Sequence, residues 1–243
     1  MKPKKIILCA TQRCGSTMIC EDIRNTGILG TPEEYFIPWV KGKDANWRKA
    51  LAGIEKKGQT ENGVFSVKIM SNQIFHINAC MGEFYNVENC KSDFLFHYYQ
   101  DAHWVFIRRR NIIRQAISRH VSRCSGVNHL KSSQEGYMPG NVQVGEEVSF
   151  KRRVEFDADQ IYTDLNDIAY ENKIWEQKFK RHKITPTRLF YEEIVSSEST
   201  QYLQDIGNAI EIDGPVEDVY DKRTLRKMSN SINDYLFNKF VEL

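Results

Sequence analysis

The sequence predicts an α/β fold, with a P-loop-like central parallel β-sheet flanked by helices. Three observations carry this expectation. Short, almost continuously apolar runs alternate with stretches of helical period, and strands lacking an exposed polar face belong to sheets covered on both sides. The first of these runs, KIILCA, empties into a polar, glycine-containing loop, TQRCGST, that leads straight into an amphipathic segment. A chain of 243 residues is long enough for one well-buried core, so a single domain over 1–243 is expected.

Taken in order, KIILCA (5–10) is the first strand, with solvated lysines before it. STMICEDIRNTG follows as a helix with Met18, Ile19 and Ile23 on one face and Gly27 as its stop. GVFSVKIM (63–70) is the second strand, with Val64, Ser66 and Lys68 opposing Phe65, Val67 and Ile69. HWVFIRRR is the third, ending abruptly in three arginines. From Asn111 to about Cys124 the pattern is helical, its stripe formed by Ile113, Ala116, Ile117 and Val121. Residues from about Ser125 to Ser149 hold Gly126, Gly136, Pro139, Gly140 and Gly145 without a clear period, and a loop of that length in a compact domain is either functional or disordered. A binding loop or lid over 122–150 is the functional expectation for it. DADQIYTDLNDIAYENKIWEQKFKRH then reads as one long amphipathic helix, and PTRLFYEEI as a last strand leading into further helices.

Composition excludes some classes. With 34 basic and 32 acidic residues, net charge is +2, which gives no global case for nucleic acid. The opening MKPKKIILCATQR has an apolar run of about five residues against the ~7–15 of a signal peptide. No stretch approaches the ~18 apolar residues of a membrane span, so a cytoplasmic chain without a transmembrane segment is expected. The six cysteines show no C-x-x-C pair and no zinc-like cluster with histidine, and disulfides are not expected in that compartment. Cys14 lies in the loop itself, either as a thiol activated by the helix N-terminus or as a small residue that fits.

The loop carries the first chemistry. Backbone N–H groups at the start of a helix favour anions, and in open parallel sheets ligands bind beyond the carboxyl ends of strands. Gly15 permits close backbone approach, Ser16 and Thr17 add hydroxyls, and Arg13 adds a charge. The lysine that a nucleoside triphosphate loop carries after its second glycine is missing. One phosphate or phosphosulfate fits better. The bland alternative is a polar turn with an incidental arginine.

The second constellation is FIRRRNIIRQAIS. Positions 110, 114 and 118 are four apart and drift only ~40° per step around a helix, so Arg110 and Ser118 share one side of its first turns. Arginines at a helix N-terminus oppose the macrodipole unless an anion sits there. A solvated basic helix start is the alternative.

Two anion sites, each after a strand, complete a resemblance. The chain resembles the sulfotransferases that use 3′-phosphoadenosine 5′-phosphosulfate (PAPS), and more closely the bacterial trehalose 2-sulfotransferase family. QRCGST looks like that family's 5′-phosphosulfate loop, which implies donor contacts from Arg13, Cys14, Gly15, Ser16 and Thr17. RNTGILGTPEEYF is similar to its segment after the first helix, ending in a Pro-x-Glu-aromatic run, and implies Glu34 as catalytic base. RRRNIIRQAIS looks like its 3′-phosphate site, with Arg110 and Ser118 in the Arg and Ser positions. LFYEEI resembles its late Tyr-Glu strand end, and LRKMSNSINDY is a weaker echo that adds Arg226 and Lys227 as donor candidates.

The resemblance implies a sulfotransferase fold and sulfuryl transfer from PAPS to a hydroxyl of a carbohydrate or glycolipid, with no metal. Arg13 would then stand beside Glu34 in catalysis. Lys68 either neutralises charge on the sulfuryl oxygens as a third catalytic group or is a snorkelling surface lysine. Oligomeric state, homodimer included, stays open. Two other classes stay open too: a P-loop kinase-like phosphotransferase, which the missing lysine disfavours, and a non-catalytic nucleotide- or anion-binding regulatory protein.

Overall fold

The computed structural model describes residues 4–40, 46–84, 93–126, 129–131, 141–143, 154–226 and 231–243. Four strands, β1 (Lys5–Ala10), β2 (Phe65–Met70), β3 (His103–Arg108) and β6 (Thr187–Phe190), form an all-parallel sheet in the order β2-β1-β3-β6. These are the four apolar runs of the sequence, trimmed at their ends. β1 is central and fully buried from Ile6 to Ala10, which is why its sequence shows no polar alternation.

Its two faces feed two cores. Ile7 and Cys9 pack with Val67 and Phe106 against α3 (Trp47–Lys57), α4 (Ile74–Phe84), α5 (Phe94–Tyr98) and the Trp175–Phe179 stretch of α7 (Ala158–His182). Ile6, Leu8 and Ala10 pack against Ile19 and Ile23 of α1 (Ser16–Asn25) and Leu203 and Ile206 of α9 (Tyr202–Ala209). Burying Ile19 and Ile23 contributes about 3–6 kcal/mol relative to leaving them in water. A third cluster joins α6 (Ile112–Ser125), α7 and α10 (Ser231–Val241) through Ile117, Val121, Ile161, Ile168 and Leu236.

Helix starts follow side-chain caps. Asn46 accepts from the Lys49 N–H at 3.0 Å, Asn111 from Arg114 at 2.9 Å and Asp157 from Gln160 at 2.9 Å, opening α3, α6 and α7. At the end of α1 the Gly27 N–H donates to the Arg24 carbonyl at 3.0 Å, with Gly27 at φ +68°, as its place in the sequence suggested.

Three expectations differ from what folds. β2 is buried on both faces, and its outer edge is covered as well: the Ser66 N–H donates to the Gly58 carbonyl at 2.9 Å and the Lys68 N–H to the Glu33 carbonyl at 3.1 Å. The run PTRLFYEEI leaves the sheet at Phe190, and Tyr191–Ser196 forms helix α8. Glu192 and Glu193 fall in its first turn, where the helix dipole favours acid. Within 122–150, α6 continues to Ser125, and strands β4 (His129–Lys131) and β5 (Asn141–Gln143) pair in parallel; the rest of that stretch lies outside the described residues. β7 (Leu225–Arg226) completes this small second sheet, in the order β5-β4-β7. The short helix α2 (Ile37–Val40) and the helices α3 to α5 lie outside the elements that the sequence predicts.

Candidate active site

The connection from β1 runs to one side of the sheet, to β2, and the connection from β3 to the other, to β6. The crevice outside their carboxyl ends is the topological switch point, where ligands of such sheets bind. Both basic constellations of the sequence end there.

The loop after β1 is clamped from several directions. Gln115 on α6 donates its amide to Thr11 Oγ1 at 2.8 Å and to the Gln12 carbonyl at 2.7 Å. Trp175 Nε1 on α7 donates to the Ala10 carbonyl at 3.1 Å. Arg13 sits at φ +66° and Gly15 at φ +91°, so the chain makes a left-handed reversal just before α1. Glycine is required at 15 on a second ground, since a Cβ there would run into the Tyr191 ring. The N-cap residue of α1 is Gly15, which has no side chain to cap the helix.

Beside this loop lie two arginines. Arg13 Nε donates to Ser118 Oγ at 3.1 Å. The Arg109 side chain is 13% exposed and its guanidinium lies 4.8 Å from the centre of the Tyr191 ring. Burial, then the charge of Arg109, brings Arg13 down to about 10. Burial lowers Arg109 as well. Arg13 and Arg109 are half-buried cations of like charge next to a hydroxyl and a glycine reversal, and an anion beside them would stabilise both. Glu192 stays at the edge: its Oε1 is 3.7 Å from Arg109 Nε, and its carboxylate accepts the backbone N–H groups of Arg110 and Asn111 at 3.0 and 3.2 Å.

The side chains of Arg110 and Arg114 go elsewhere. Arg110 is 55% exposed, pairs with Glu193 and stacks 3.9 Å over Phe190. Arg114 reaches Asp234 at 2.7 Å and lies over Phe237. Of the three positions spaced four apart, it is Ser118 that meets Arg13. Helical spacing singles out Arg110 in the sequence, whereas consecutive residues leaving a strand point to opposite sides, which parts Arg109 from it.

The first turn of α1 also faces a carboxylate site. The Lys68 N–H holds the Glu33 carbonyl against the edge of β2, and this fixes Glu34 over the Lys68 side chain. Lys68 Nζ is 3.0 Å from Glu34 Oε1 and 3.5 Å from Thr17 Oγ1 in the first turn of α1. At 4% exposed, Lys68 is no surface lysine. Burial works against its charge, but Cys20 and Glu34 outweigh burial and hold its pKa above the usual lysine value. Burial pushes the Cys20 thiol itself up to about 12, so at neutral pH the partner anion is Glu34. The second Glu34 oxygen accepts from Gln73 Nε2 at 3.0 Å. Glu33 turns the other way and pairs with Arg24, which also donates to the Pro32 carbonyl at 3.0 Å. The two neighbouring carboxylates therefore have separate partners.

Cys14 is completely buried and burial raises its thiol, so of its two readings the small space-filling residue is the one that folds. Cys9, Cys14, Cys20, Cys80 and Cys124 are all free, and Cys90 lies outside the described residues. Arg226 is opposite Leu130 in the small sheet, and Lys227 lies outside the described residues. The segment before them is tied to α1. Asp22 takes Arg223 at 2.8 and 2.7 Å and the Tyr202 hydroxyl at 2.6 Å, while Glu21 accepts the N–H groups of Thr224 and Leu225 at 2.9 and 3.1 Å.

Among the described residues no helix is long and apolar enough to cross a membrane, and no three His, Cys, Asp or Glu side chains gather as a metal site. No curated protein matches the chain. A family model described as Stf0 sulphotransferase matches residues 5–242, nearly the whole length. With a four-stranded parallel sheet, a basic loop at its switch point and this match, the chain belongs to the Stf0 sulphotransferase family, whose chemistry is sulfuryl transfer.

Proposed function

We propose that the protein transfers a sulfuryl group from PAPS to a hydroxyl of a carbohydrate or glycolipid, as a single-domain cytoplasmic enzyme with an acceptor lid in 122–150. The observation that carries this reading is one arrangement around α1. A half-buried Arg13–Arg109–Ser118 group lies at the loop, and a buried Lys68 joins Glu34 to Thr17 in the first turn of the helix.

The residues fit a doubly anionic donor. The uncapped α1 terminus, with Arg13, Cys14, Gly15, Ser16 and Thr17, would hold the 5′-phosphosulfate. Arg109 and Ser118 would hold the 3′-phosphate, with Arg110, Arg226 and Lys227 as further candidates. Bound, the donor would supply the sulfuryl group and a phosphate that leaves with the electron pair of the broken S–O bond.

The chain's own work is positioning and charge. Glu34 would accept the proton of the acceptor hydroxyl as that oxygen bonds to sulfur. Lys68 is already within reach of both Glu34 and Thr17. As Glu34 is neutralised by the proton, the ammonium is left to balance charge developing near α1. Arg13 would face the same charge from the loop side.

The test is ligand stabilisation. The desulfated product 3′-phosphoadenosine 5′-phosphate (PAP), at 100 times its Kd, should add about 2.7 kcal/mol, or about 5–10 °C in Tm for a chain of this size. ADP, lacking the 3′-phosphate, should do clearly less. Equal shifts with PAP and ADP would remove the 3′-phosphate site, and a larger shift with Mg-ADP would favour a kinase.

A further inference from the structure

We propose that Gln73 is a positioning residue that fixes the carboxylate of Glu34 for proton transfer; this rests on the reading of Glu34 as base. Gln73 is the last residue of the tight turn Ser71–Gln73 that leaves β2, and it is 4% exposed. Its amide can face only one way. The Met70 N–H donates to Gln73 Oε1 at 3.1 Å, and an N–H needs an acceptor. The amide NH₂ is therefore the end 3.0 Å from Glu34 Oε2, a carboxylate oxygen that needs a donor.

Lys68 takes the other oxygen of the same carboxylate at 3.0 Å. Both donors belong to one rigid strand-and-turn unit, β2 and the residues directly after it. The Lys68 N–H also anchors the Glu33 carbonyl, so the backbone beside the base is held by that same unit. Two donors on two oxygens stop the carboxylate from rotating, while each oxygen keeps a lone pair for an incoming hydroxyl. The chemistry of the second donor matters. A second cation would hold the carboxylate deprotonated and weaken it as a base, whereas a neutral amide orients it without that cost. Half of Gln73, its oxygen, has a structural task at Met70. The other half, its amide NH₂, meets Glu34 among the described residues.

That division makes the role separable. Gln73→Glu keeps an oxygen for Met70 but presents a second oxygen to Glu34 in place of the donor. Gln73→Leu removes both. The assay follows consumption of sulfur-labelled PAPS with a pool of common mono- and disaccharides, so turnover is read whichever hydroxyl, water included, accepts. PAP affinity by calorimetry and Tm are the controls.

We expect Gln73→Leu to lower kcat about 10- to 100-fold with PAP affinity unchanged, the effect of losing a bond to a charged group and the alignment it enforces. In a Glu34→Gln background the same change should cost nothing further, because the group it acts through has gone. Gln73→Glu should fold normally and move the acid limb of the kcat profile to higher pH, since two facing carboxylates share a proton more readily. Should Gln73→Leu melt early or lose PAP binding, the pH profile of Gln73→Glu decides alone. Wild-type kcat and pH profile in Gln73→Glu would overturn the proposal, as would an equal loss from Gln73→Leu with and without Glu34. A fully active Glu34→Gln would instead remove the base on which the proposal stands, and that outcome is distinct from the others.

Discussion

Replacing Arg109 or Arg110 by alanine separates two neighbouring guanidiniums that the sequence alone makes equivalent. Arg109 is 13% exposed, lies over Tyr191 and bears on the charge of Arg13. Arg110 is 55% exposed and engaged by Glu193. A hydrogen bond to a charged group is worth roughly 1.5–3 kcal/mol, so Arg109→Ala should weaken PAP binding by about 10- to 150-fold. Arg110→Ala gives up a surface ion pair worth about 0–1 kcal/mol and should change Kd by no more than about fivefold. Without ligand, Arg109→Ala relieves Arg13 of a like charge but gives up the contact with Glu192, so Tm should move little. Isothermal calorimetry with PAP gives both affinities, and a thermal melt without PAP gives the stability arm. A larger loss from Arg110→Ala than from Arg109→Ala would refute the reasoning and return the 3′-phosphate to the exposed arginine.

Three further outcomes follow from the same geometry. Glu34→Gln should keep PAP affinity and lose about 10²–10⁴-fold in turnover, whereas Glu33→Gln, whose carboxylate is paired with Arg24, should stay near the wild-type rate in the same assay. Gly15→Ala should lower stability by about 1–3 kcal/mol and abolish PAP binding, since φ is +91° there and the Tyr191 ring occupies the methyl position; a melt and a titration read both. Asp93 is buried, yet bonds from Lys178 and His182 outweigh burial and hold its pKa below the usual value. Its stabilisation should be present above about pH 4 and fade as pH falls through the lower folded value. Asp93→Asn should therefore melt earlier than wild type at pH 7, with the gap narrowing in acid.

The strands were legible because a parallel sheet covered on both faces leaves continuous apolar runs such as KIILCA and HWVFIRRR. The loop TQRCGST was legible because glycine, hydroxyls and arginine together have few uses at a strand-to-helix turn. Arg109 was not, because three consecutive arginines carry no phase, and only the exit angle of β3 decides which of them turns inward. Gln73 was invisible for a related reason: it meets Glu34 across 39 positions of sequence through a tight turn with no periodic signature. The run ending in Glu192 and Glu193 looked like strand by apolar content, but two acids suit the first turn of a helix better than a sheet. The short helix Ile37–Val40 spans about one turn, too little for a 3.6-residue period to show.

The most direct test of the account is transfer of label from sulfur-labelled PAPS to sugar hydroxyls by the purified protein, without added metal, alongside Glu34→Gln. The account predicts a sulfated carbohydrate and stoichiometric PAP from the wild type, and PAP binding without product from Glu34→Gln. Tight PAPS binding with no transfer to any member of a broad carbohydrate and glycolipid panel, or product from Glu34→Gln at the wild-type rate, would contradict it.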